Sequence, residues 1–199
     1  PKLVVMETNF FLTSLRKKRI LLAKYLPFFN YHVLYKEYLL YPKSADEWKG
    51  FSATNQITPY TGTLDYMTTD NSYYPVDEWT LDYMRQVKEI LDQHGTKLLM
   101  VSAPNPLNWT TSKHNTLQEW CDQNNVTYID YNLKPEELNI NWLTDSRDGG
   151  DHLNYSGSVK FMNVLGKYLQ ENYELTDHRN DPAYTKWNED YKSIFGGAQ

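Results

Sequence analysis

"KLLMVSAPNPLNW", residues 97–109, decides the fold. Leu98 to Val101 form an unbroken apolar run, long enough for one strand and too short for an ordinary helix. It stops abruptly in a loop carrying two prolines and two asparagines. A strand with consecutive apolar residues has both faces covered, which is the habit of a parallel sheet packed between helices.

Two further runs read the same way: "LVVM" (3–6), and "VTYID" (126–130), which ends in an acid. Helical patterns separate them. In "PVDEWTLDYMRQVKEILDQHG" (75–95), Asp77 is a good N-cap, and Gly95 follows the end. Trp79, Leu81, Met84, Val87, Ile90 and Leu91 supply its apolar stripe. A helix is predicted from about residue 113 to 124. A last long one runs from Tyr155 to Tyr173 on Val159, Met162, Val164, Leu165, Tyr168 and Leu169.

This alternation predicts an α/β fold, a three-layer α/β/α arrangement around a parallel sheet, with right-handed crossovers placing helices on both faces. Chemistry in such sheets gathers where strands end. "ETN" (7–9) and "APNPLN" (103–108) follow strand ends.

The remaining stretches are less regular. "LTSLRKKRILLAKYL" (12–26) and "FFNYHVLYKEYLL" (28–40) read as two helices interrupted by Pro27. Residues 42–76 show no sustained period and are too long for a simple connection, so an irregular, substrate-facing insertion is expected. Residues 174–199 form a polar C-terminal extension with spaced aromatics, expected to pack back on the domain. The 199 residues read as a single domain with enough length to bury a core.

Composition narrows the partners. The net charge of −5 argues against nucleic acid, because phosphate binding needs a basic stripe. "RKKR" (16–19) reads as a solvated helix face. The lone Cys121 excludes an internal disulfide and a cysteine-based zinc site. No apolar run reaches the ~18 residues of a membrane span, and no signal peptide is recognisable. The 17 tyrosines and 6 tryptophans can stack on sugars or equally fill a core with a polar tip left wet.

"DGGDHLNYSG" (148–157) holds the chemistry. A histidine beside a carboxylate is held in one tautomer and stabilised when protonated, as a general base requires. His152 has Asp148 and Asp151 within reach, with two glycines to bend the chain. A plain capping role for Asp151 or Asn154, with His152 an exposed loop residue, competes equally at this stage. Ser156 reads as an N-cap residue. Calcium is disfavoured, because Asp145, Asp148 and Asp151 lack the alternation and closing glutamate of an EF-hand. His32, His94, His114 and His178 pair with no serine in a recognisable motif.

The order of elements, with "PKLVVMETN" (1–9) and "DGGDHLNYSGSVKFMNVLGKYL" (148–169), resembles the SGNH/GDSL hydrolase superfamily, and within it the cell-surface SGNH-like proteins of Gram-positive bacteria. That resemblance implies a serine esterase or O-acyltransferase acting on an acylated cell-surface glycan, with no metal or organic cofactor. It makes His152 the base, Asp148 or Asp151 the acid that steers it, and Asn9 an oxyanion donor. The family's acid lies three residues before the histidine, where this chain has Gly149; a glycine bulge would bring Asp148 round.

The family's nucleophile block, a strand ending in a glycine–serine turn, is expected upstream of Pro1, so the fold would lack its N-terminal strands and the chain alone should be inactive. The resemblance also implies a location outside the cell or on its surface, through an N-terminal anchor. The first strand should then be covered by that upstream segment, another copy, or the tail. The alternative is a non-catalytic glycan- or partner-binding module on the same scaffold, motivated by the aromatic 49–75 stretch.

Overall fold

The structure, a computed structural model, describes residues 1–12 and 54–195. They fall into two compact units, residues 1–12 with 54–164, and residues 165–195. The helices expected between residues 13 and 40, and the first part of the 42–76 insertion, lie outside the described residues.

The first unit is built on parallel strands in the order β1 (Leu3–Glu7), β2 (Lys97–Ser102), β3 (Thr127–Asp130). This is the α/β fold that the alternation predicts. Val5 pairs with Leu99, and Val101 with Ile129, so the strands finish nearly level at Glu7, Ser102 and Asp130. β2 lies in the middle. Leu99 and Met100 are fully covered and Leu98 and Val101 nearly so, which accounts for the unbroken apolar run. Side chains alternate across the sheet, and Leu98 and Met100 join Phe11, Met84, Trp109, Leu117, Trp120, Cys121 and Val126 in one core cluster. Burial pushes the Cys121 thiol up to about 12, aided by the nearby Asp122 charge, so this cysteine packs and does not react.

β1 departs from its reading as a strand buried on both faces. Val5 is 41% exposed, and Leu3, Val4 and Met6 are only half-buried. Among the described residues β2 is its one ladder partner, which makes β1 an edge. An apolar run records what a strand would tolerate, not how many neighbours it has.

Three of the described α-helices start at a side-chain cap. α1 is the single turn Asn9–Leu12. α2 (Glu78–Gln93) opens at Asp77, which accepts from Thr80 N at 3.0 Å. α3 (Thr111–Gln123) starts two residues before its expected position because Thr110 supplies the cap. α4 is the turn Pro135–Leu138, and α5 spans Tyr155–Asn172. Asn154, not Ser156, caps α5, accepting from Gly157 N at 3.2 Å. Ser156 already lies inside the helix, and a capping residue must precede it.

In the second unit a short 3₁₀ turn (Pro182–Tyr184) leads into α6 (Thr185–Phe195). His178 stacks on Tyr184 at 4.3 Å and faces Asp181 at 3.2 Å. No helix of the described residues is long and apolar enough to cross a membrane.

Candidate active site

The site is a loop between an isolated antiparallel bridge, Ser146 with Leu153. Arg147 N donates to His152 O at 2.9 Å and closes the base of the loop. Gly149 and Gly150 form the tip with φ of +77° and +99°, a region that side-chain-bearing residues rarely enter. Gly150 has a second reason to be glycine: a Cβ there would stand 2.7 Å from the Tyr60 ring.

This tip carries out the bulge anticipated from the sequence. It folds Asp148 back so that Oδ1 accepts from His152 N and Oδ2 faces His152 Nδ1, both at 2.7 Å. Arg147 adds donors to the same Oδ2 at 3.1 and 3.3 Å. Partial burial pushes the Asp148 carboxyl up, but the hydrogen bonds from His152 and Arg147 together outweigh it, and its pKa lies below the ordinary carboxylate value. Among the described residues none hydrogen-bonds His152 Nε2, and the ring is 54% exposed. A carboxylate at Nδ1 holds the proton there and leaves a lone pair on Nε2.

Asp151 is placed differently. Its Oδ2 comes to 3.4 Å from His152 Nδ1, while its Oδ1 accepts from Asn105 Nδ2 at 2.8 Å and Asn108 Nδ2 at 2.7 Å. Both asparagines belong to "APNPLN", the loop after β2, so this strand end meets the His152 loop.

At the end of β1, burial of the Glu7 carboxyl among protein atoms raises its pKa although the residue as a whole is exposed. The N–H groups of Asn9 and Thr8, and then the nearby His152, pull it partly back. Asp151, next to His152, bonds Asn105 in the loop after β2, and Glu7 ends β1 level with Val101 of β2, so Glu7 and His152 share one end of the sheet. Asn9 opens α1 two residues later, exposed, with its N–H donating to Glu7 Oε2 at 2.8 Å. Glu7 was passed over in sequence because a strand-ending glutamate looks like ordinary surface.

The described part of the irregular insertion supports this loop. Thr58 N donates to Ser146 O and Gly149 N to Thr58 O, each at 3.0 Å. Tyr60 N reaches Trp142 O at 3.0 Å, and Tyr155 N reaches Thr54 O at 2.8 Å. Tyr60 then lays its ring over Gly150 and edge-on to Trp142. Residues 54–60 thus act as a strap under the His152 loop.

A second His–Asp pair went unrecognised in the sequence. His114 on α3 meets Asp130 at the end of β3, Nδ1 to Oδ2, at 2.9 Å. Asp130 also accepts from Trp109 Nε1, and from Asn132 N and Nδ2. Its carboxylate is 1% exposed, with four donors on two oxygens. His114 and Asp130 stand sixteen residues apart on different elements, and no local motif joins them.

Asp148, Asp151 and His152 bring ligand atoms within 4.8 Å of one another, the geometry a metal ion would need. Their oxygens already receive N–H donors from Arg147, Asn105 and Asn108. A guanidinium beside the cluster repels a cation, so these residues fit a steered imidazole better than a metal.

No family model, no curated protein and no solved structure matches this chain.

Proposed function

We propose that the His152 loop is the acid–base half of a serine esterase or O-acyltransferase of the SGNH type, its serine carried by a segment upstream of Pro1. One observation carries this reading: the 2.7 Å contact between His152 Nδ1 and Asp148 Oδ2, with Nε2 unengaged among the described residues on an exposed ring. In that arrangement Nε2 takes the serine proton as the hydroxyl attacks an ester carbonyl, and returns it to the leaving alcohol. Asp148 holds the ring and offsets the charge that develops on it. Asn9, at the same end of the sheet as His152, is the donor proposed for the oxyanion.

Among the described residues β1 has one ladder partner and Val5 is exposed, so the cover expected for this edge is not supplied there; the reading places the upstream strands of a three-layer SGNH sheet on that flank. The proposed substrate is an acylated glycan at the cell surface, reached from an upstream anchor.

The test is p-nitrophenyl acetate turnover by the chain extended upstream, with and without His152→Ala. The substitution should lower kcat on the order of 10⁴-fold or more. Equal turnover by the two proteins would remove His152 from the mechanism.

A further inference from the structure

Asp151 is the carboxylate next to His152 in sequence, yet the ring meets Asp148 at 2.7 Å and Asp151 only at 3.4 Å. Flexibility does not account for this, because Asp151 Oδ1 is gripped by two amides, Asn105 Nδ2 and Asn108 Nδ2. Asn105 is 5% exposed, and all its polar groups are engaged. Its Oδ1 accepts from Asn108 N at 2.8 Å, its N donates to Asn132 Oδ1 at 2.8 Å, and its carbonyl accepts from Trp109 N at 2.9 Å. Asn132 in turn donates to Asp130 Oδ1 at 2.7 Å and to Ala103 O at 3.0 Å. An unbroken path of hydrogen bonds runs from a buried carboxylate at the end of β3 to the residue beside the candidate base.

We propose that Asn105 is a positioning residue: with Asn108 it clamps Asp151 to the sheet, and so leaves the closer contact with the His152 ring to Asp148. Asp151 is then the loop's anchor and not the acid that steers the imidazole. The clamp itself is independent of any activity; its bearing on turnover rests on the esterase reading.

Asn105→Asp isolates the clamp. It keeps the oxygen that caps Asn108 N–H, removes the donor to Asp151 and sets a like charge against it. Adding Asp151→Asn restores the hydrogen bond with donor and acceptor exchanged, Asn108 turning its amide so that its oxygen accepts from the new nitrogen. The first readout is the imidazole ¹³C–¹H resonance of His152 in the chain, assigned by its loss in His152→Ala. Asn105→Asp should move that resonance, and the exchanged pair should return it toward its starting position. In the upstream-extended protein the single change should cut p-nitrophenyl acetate kcat about tenfold to a hundredfold with KM little altered, and the exchanged pair should recover most of it.

An unmoved resonance in Asn105→Asp, or an exchanged pair no closer to wild type than the single variant, would overturn the proposal. If Asn105→Asp does not fold, the exposed Asn108→Ala decides: a shifted His152 resonance supports the clamp and an unshifted one refutes it. A restored resonance together with absent turnover in the unsubstituted protein would leave the clamp standing and sink the esterase reading.

Discussion

Two His–Asp pairs stand at the same end of one sheet, and they differ in nearly everything but chemistry. His114 and Asp130 are 18% and 1% exposed, joined across elements and surrounded by Trp109 and Asn132. His152 and Asp148 are 54% and 32% exposed, and both sit in one glycine-bent loop. The buried pair spends every lone pair of its carboxylate on fixed donors, which is how a strut is built. In both pairs the described residues leave the histidine's second ring nitrogen without a hydrogen bond, but only His152 carries it on a half-exposed ring, which is what proton transfer needs. An imidazole–carboxylate contact alone therefore identifies no function. Access decides it.

The sharpest way to break the comparison is to remove each acid. Asp130→Ala strands four buried donors and should cost about 3–5 kcal/mol of unfolding free energy in urea melts. Asp148→Ala removes a carboxylate that water already reaches and should cost only about 1 kcal/mol. Similar losses for both would erase the distinction between strut and site.

Gly150→Ala probes the loop geometry next. Its positive φ and the Tyr60 ring 2.7 Å from the added carbon both oppose the substitution. A loss of about 1–3 kcal/mol is expected. Pairing it with Tyr60→Ala should relieve the steric part and leave the backbone part, so the double variant should be less destabilised than the two single changes sum to. Simple additivity would mean that the strap does not press on the loop.

The smallest effect is acid sensitivity. Burial opposes ionisation of Asp148, but its hydrogen bonds from His152 and Arg147 prevail and the net shift is downward. Burial likewise opposes Asp145, and Lys160, Asn141 N–H and Ser156 prevail there. A carboxyl whose folded pKa is depressed adds stability that is present above the unfolded value, about 3.9, and is lost as pH falls through the folded one. The melting temperature should therefore hold from pH 6 to about 4.5 and drop below about 4. Asp148→Asn should flatten part of that drop, and an unchanged profile in this variant would show that the pair contributes no linkage.

Much of this architecture was legible in the residues. The apolar run at 98–101, the capped stripe after Asp77 and the glycine pair before His152 each reflect a local rule: strand burial, helix capping, backbone freedom. Asp148 could be preferred over Asp151 because two glycines let the chain double back, and the loop does so. Local rules gave no warning that Val5 is exposed, that residues 54–60 strap the loop, or that Asn105 grips Asp151.

By itself, the sequence determined the parallel α/β order, the start of α2 at Asp77 and the bend that folds Asp148 toward His152, because each depends on neighbours a few residues away. Tertiary structure alone decided that β1 lies at an edge among the described residues, that His114 spans to Asp130, and that Asp151 is held by amides forty-three and forty-six residues distant. Those contacts arise when strand ends converge, and no short-range preference encodes which polar groups will meet there.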